Sequence, residues 1–118
     1  MKKIKWFAQP EDHDYPAADS YLNLIYSPGK VELLVDELRH TTISYFKAKD
    51  VFRASKESLL GVSNSHVKKN LKKVKKGKKL SPILLVRTGD ELIIADGYHR
   101  ICAIYSLDED AVIPCKIV

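Results

Sequence analysis

The chain has 118 residues, 45% hydrophobic and 30% charged. That size and balance fit one soluble globular domain and exclude a disordered or collagen-like chain. The longest apolar runs, such as residues 82–86, fall far short of the ~20 residues a membrane span needs, and the basic N-terminus runs into acids and prolines instead of an apolar signal core. No membrane association is expected, and the cytosol is the expected compartment. The net charge of +5 is local: eight lysines and no acid lie between positions 68 and 79, leaving 12 basic against 15 acidic residues elsewhere.

In chain order, residues 1–15 read as a short strand or arm followed by a polar turn. Pro16 suits the first turn of a helix, expected over residues 17–26. Ser27, Pro28 and Gly29 form a break. A second helix is expected over residues 30–40, with Val31, Leu34, Val35 and Leu38 at helical spacing, and the two make a helical hairpin. Residues 43–46 read as a strand or an extended docking segment, residues 50–53 as a turn, and residues 55–62 as a loop or a short helix. Ser63 or Asn64 can cap the next helix, whose narrow apolar seam is Val67, Leu71 and Val74. Gly77 ends it.

The last third is the most regular. Residues 83–87 and 91–95 pattern as two strands around the turn Thr88-Gly89-Asp90, so a hairpin is expected. A helix over residues 98–107 and a closing strand over residues 112–118 follow. These elements predict an α+β fold in which a small mixed sheet, helped by part of residues 45–53, is covered by helices. The organisation expected is a single domain, residues 1–118, with residues 1–40 as a helical extension of a core at 41–118.

Two features carry chemistry. Residues 93–100 run from an apolar strand through Asp96-Gly97 straight into a helix that opens with Tyr98, His99 and Arg100. Cations at a helix N-terminus oppose its dipole and cost up to ~1 kcal/mol each, a placement that makes sense if an anion sits there on the free N–H groups. Gly97 lets backbone approach closely. Asp96 can cap the helix, position a metal on a polyphosphate, or simply pair with Arg100 four residues on. Tyr98 can stack on a base, donate its hydroxyl to a phosphate, or pack its ring in the core. The second feature is the lysine run. Lys68, Lys69, Lys72, Lys73, Lys75 and Lys76 form either a solvated helix face or a surface for nucleic acid. Such binding would be salt-sensitive and sequence-blind, since lysines are point charges without the bidentate fork that reads bases, and no aromatic residue interleaves them in the sequence.

Other candidates are weaker. Glu11, Asp12, His13 and Asp14 suggest a metal cluster, but no second ligand set has convincing spacing, and an exposed acidic turn is the expectation. Cys102 and Cys115 have no zinc spacing and read as small buried hydrophobes without a disulfide. His40 and His66 fall near helix ends without an assigned role. Glu57 is an acid–base candidate if phosphoryl groups are transferred.

The stretch Leu80-Ser81-Pro82-Ile83-Leu84-Leu85-Val86, the segment Ile93-Ile94-Ala95-Asp96-Gly97-Tyr98-His99-Arg100-Ile101-Cys102-Ala103 and the end Ile113-Pro114-Cys115-Lys116-Ile117-Val118 together resemble the ParB/sulfiredoxin superfamily. The resemblance covers about a third of the chain. It implies that Gly97, His99 and Arg100 lie on the family's phosphate-binding turn, shaped by Asp96 and Tyr98. In sulfiredoxins that turn holds the phosphates of ATP, and in ParB proteins the corresponding turn helps hold CTP. Tyr98 stands where sulfiredoxins have their nucleophilic cysteine, and a phenol with pKa near 10 cannot replace a thiolate, so sulfiredoxin activity is not expected. An Arg-rich turn and room for a helix-turn-helix reader are missing, so partition by this chain alone is not expected either.

The leading expectation is a protein binding a nucleotide or another phosphate compound at the D-G-Y-H-R turn. If it is an enzyme, the reaction is phosphoryl transfer or phosphate-ester hydrolysis with Mg2+ accompanying the nucleotide. One alternative is a nucleic-acid-binding or nuclease-like module using the lysine helix. Another is a catalytically inert interaction domain.

Overall fold

The computed structural model describes residues 3–118, so the first two residues of the N-terminal arm lie outside it. The elements in order are β1 (Lys5–Trp6), α1 (Asp14–Leu22), α2 (Pro28–His40), β2 (Ser44–Lys47), α3 (Ala48–Ser55), α4 (Ser65–Lys75), β3 (Lys79–Leu80), β4 (Ile83–Arg87), β5 (Leu92–Asp96), α5 (Tyr98–Leu107) and β6 (Val112–Ile117). The fold is α+β. Four strands form a mixed sheet in the order β2-β6-β4-β5, with β4 and β6 parallel and the other pairs antiparallel. The expected hairpin is β4–β5, and β1 pairs separately with β3 in parallel.

Strand β4 explains the layering. All four of its first residues are buried, because the sheet is covered on both faces, the condition that favours a continuous apolar run over alternation. Ile83 and Leu85 join a core with Val51 and Phe52 of α3, Val67 and Val74 of α4, and Ile101 and Ile104 of α5. Leu84 and Val86 point the other way, into a core with Leu22 of α1 and Val31, Leu34 and Leu38 of α2. The N-terminal hairpin therefore covers this face over β4 and β5 and carries that face's core, while Tyr45 of the edge strand β2 stays exposed.

Two elements differ from the sequence reading. The first helix starts three residues earlier than expected, at Asp14, and stops at Leu22. Asp14 is fixed there because its carboxylate accepts from the Ser81 hydroxyl and from the backbone N–H of Glu11. The expected turn at residues 50–53 is instead the middle of α3. Its buried residues Ala48, Val51, Phe52 and Ser55 are spaced i, i+3, i+4 and i+7, so the amphipathic period wins over the β preference of Val51 and Phe52. Asn64 is the cap of α4, accepting from the N–H groups of His66 and Val67. Gly77 follows that helix with φ +72°. The chain leaves α4 at Lys75, so Lys76 is its C-cap and Lys78 and Lys79 lie beyond it.

Candidate functional site

The D-G-Y-H-R turn is built by the end of β5 and the start of α5. Gly97 is the N-cap of α5 with φ +109°, and no side chain caps the helix. The first N–H of α5 with an intrahelical acceptor is that of Ile101, bonded to the Gly97 carbonyl, which leaves the donors of the first turn open, as at any uncapped helix start. A side chain at position 97 would not reach a ligand. Its Cβ would meet Ile83 Cδ1 at 2.5 Å and Arg100 Nη2 at 2.9 Å. The glycine thus serves close packing of the turn on the core and lets Arg100 fold back beneath it.

Arg100 is turned inward. Its Nη2 donates to Asp96 Oδ2 at 3.0 Å and lies 3.4 Å from the Pro82 carbonyl. The side chain is 16% exposed, and its Nε is buried without a partner. Asp96 also faces the Asp14 carboxyl. Burial pushes the Asp96 carboxyl above its ordinary value, the Arg100 guanidinium pulls it down, and Asp14 adds to the rise. The Arg100–Asp96 pairing that the four-residue spacing offers is therefore what forms.

Tyr98 donates its hydroxyl to the Ser58 carbonyl, and its ring meets Phe52 edge-on at 6.4 Å. Burial first, then Cys102 and Glu57, push its phenol up to about 12. Tyr98 is thus a neutral anchor between α5 and the loop at residues 57–64, with its hydroxyl already spent.

The groups free to meet an anion come from α4. The two helices lie side by side, and the His66 and His99 rings are 4.7 Å apart. Between the helices a polar cavity of about 220 Å³ is lined by His66, Lys69, Asn70, Lys73 and residues 96–100. No carboxylate pairs with Lys69 or Lys73 among the described residues. Burial, and secondarily His66, hold the His99 imidazole below its ordinary value. Lys68, Lys72, Lys75 and Lys76 lie outside the cavity on the exposed surface of α4 and its C-cap. His66 and Asn70 are the wall residues that sequence reading passed over. Their signal was the spacing 66, 69/70, 73, which puts them on one side of a helix with two of the lysines.

On the other side of the turn a second cavity of about 520 Å³ is lined by Tyr21, Glu57, Ser58, Ile94 and residues 95–99. Glu57, the acid–base candidate of the sequence, is therefore beside the same turn, and burial followed by Glu91 pushes its carboxyl up. Mg2+ takes oxygen ligands, and the polar cavity offers a single carboxylate, Asp96, already engaged by Arg100. These residues do not make a magnesium site on their own. The acidic turn brings Glu11, His13 and Asp14 within 4.8 Å of one another, a group that could hold a metal ion. Its members are mutually satisfied, with His13 Nε2 3.0 Å from Glu11 and 3.5 Å from Asp14.

Among the described residues no helix is long and apolar enough to cross a membrane. No protein-family model, no curated protein and no solved structure matches this chain.

Proposed function

We propose that this protein binds a phosphate-bearing small molecule, a nucleotide above all, with the phosphate in the cavity between α4 and α5. The carrying observation is convergence: the uncapped N-terminus of α5, the ammonium groups of Lys69 and Lys73 and two imidazoles line one polar cavity. Helix N–H groups and unpaired cations together are the usual chemistry of phosphate sites. The resemblance of this turn to that of the ParB/sulfiredoxin superfamily points the same way. The larger cavity beyond Tyr98 offers room for the rest of a nucleotide, with Tyr21 and Tyr98 on its wall. A reaction here would be transfer or hydrolysis of the phosphoryl group, with Glu57 as an acid–base group on the wall of the adjoining cavity.

The test is thermal unfolding with ATP, CTP, GTP and inorganic phosphate, each with and without Mg2+. A ligand at 100 times its Kd adds about 2.7 kcal/mol, a rise of several degrees for this size. The expected result is a rise that Lys73→Gln and His99→Gln each reduce. Absence of any shift with all four compounds refutes the proposal.

A further inference from the structure

We infer that the phosphate taken by this cavity is the terminal phosphate of a single-stranded nucleic acid whose backbone follows α4 away from it. The inference rests on the phosphate reading above and names its ligand class. Lys69, Lys73 and Lys76 follow one another at i, i+4 and i+7, on one side of the helix. The first two are cavity walls. The third precedes Gly77, against which the Lys5 ammonium lies, 3.6 Å from where a Cβ would stand. Lys5 is the register partner of Lys79 in the β1–β3 pair. Lys79 in turn holds its ammonium 5.9 Å from the ring centre of Phe7, a phenylalanine 37% exposed.

A continuous row of cations thus leaves the cavity, follows α4 and ends at an exposed aromatic ring. From Lys69 to Lys76 alone the row spans about 10 Å at the usual helical rise, more than the phosphates of one mononucleotide occupy. The ring supplies what the lysine run lacks in sequence. Aromatic faces beside a cationic groove are the means by which single strands are held without reading their bases, and a duplex keeps its bases unavailable for that stacking. A terminal monoester also suits the closed end of the row better than an internal diester, because its second negative charge has two ammoniums, two imidazoles and a helix N-terminus to meet. Lysine point charges predict little base preference.

The experiment titrates the protein with twelve-residue single strands carrying a 5′-phosphate, a 3′-phosphate or neither, and with the matching duplex. Fluorescence anisotropy of the labelled strand and emission of Trp6, the single tryptophan of the chain, are followed together. One phosphorylated strand is expected to bind at least tenfold tighter than the unphosphorylated strand and the duplex, and inorganic phosphate should erase that advantage. The double variant Lys76→Gln/Lys79→Gln should weaken the strand and lower the slope of log affinity against log salt by about 0.7 for each phosphate no longer neutralised. Phe7→Ala should weaken it by about tenfold, with circular dichroism checking that the variants are folded. Equal binding of strands with and without the end phosphate overturns the inference, as does equal binding of duplex, or loss in neither variant. If inorganic phosphate and ATP bind while the strands show no such preference, the inference falls and the phosphate reading stands. If neither phosphate nor ATP binds, both fall.

Discussion

Replacing Gly97 by alanine tests the geometry of the turn directly. The backbone there has φ +109°, and the added Cβ would stand 2.5 Å from Ile83 Cδ1 and 3.3 Å from Ile83 Cγ2. Ile83 is fully buried in the strand shared by both cores, so it has no solvent to swing into. Holding a non-glycine residue in this region costs about 1–3 kcal/mol, and overpacking a closed core costs about 1–3 kcal/mol more. The expected loss is about 3 kcal/mol or more, a large part of the 5–15 kcal/mol that ordinarily holds a domain folded. Urea denaturation reads this as a lower midpoint at unchanged slope, and thermal unfolding as a Tm lower by roughly 10 °C. Gly29→Ala is the control. Position 29 lies in α2, has no left-handed φ and has nothing within 4 Å of a new Cβ, so the same substitution should stabilise by up to ~1 kcal/mol through helix propensity. If Gly97→Ala lies within about 0.5 kcal/mol of the parent, the packing argument for this glycine is refuted.

Other consequences are as direct. Asn64→Ala removes the side chain that accepts from two N–H groups of α4 and should cost about 1 kcal/mol in denaturant midpoint. Cys102 and Cys115 are both buried, and burial pushes the Cys115 thiol up to about 12. A thiol reagent at pH 8 should therefore label neither in the folded protein and both in denaturant; rapid labelling of the native chain contradicts this packing. His99, held below its ordinary value of 6.5 by burial and by His66, takes up its proton more readily in the unfolded chain. Its contribution to stability is therefore full above pH 6.5 and is lost as the pH falls through the folded value, a slope that His99→Gln should flatten. A dianion in the cavity favours the charged ring, so calorimetry with sulfate, whose own charge is the same at both pH values, should show tighter binding at pH 5.5 than at pH 7.5, and a flat profile counts against His99 as a wall of the site.

The elements that the sequence shows plainly are those where one physical signal acts alone. The lysine helix has a narrow seam, an Asn cap and a terminal glycine, and it forms as α4 with Val67 and Val74 inside. The strand at Ile83 is a bare apolar run and becomes the centre of the sheet. Where signals compete, the reading fails. Residues 50–53 combine a β-branched residue, an aromatic and charges, which look like a turn until Ala48 and Ser55 are counted into the period. The start of α1 depends on Ser81, 67 residues away from Asp14, and no local pattern contains that. The same limit applies to the site. The turn itself is visible as a break in periodicity, but its second wall comes from α4, and only the packing of α4 on α5 sets His66 beside His99.

That second wall changes what the cations at the turn mean. A charged residue in the first turn of a helix is costly unless something answers it, and Arg100 alone suggests an anion. In the fold Asp96 answers it at 3.0 Å, so Arg100 by itself calls for no ligand. Lys69 and Lys73 receive no such answer among the described residues. They stand with His66 and His99 around the open donors of α5, and neither imidazole offers a negative charge. Like charges four residues apart on one helix repel each other, and no carboxylate among the described residues pairs with these two lysines. The case for an anion therefore rests on α4, and substitutions there are the ones that separate a binding site from a structural ion pair. Loss of phosphate binding in Lys73→Gln with the fold intact identifies the former. Loss only on changing Arg100, together with a fall in stability, identifies the latter.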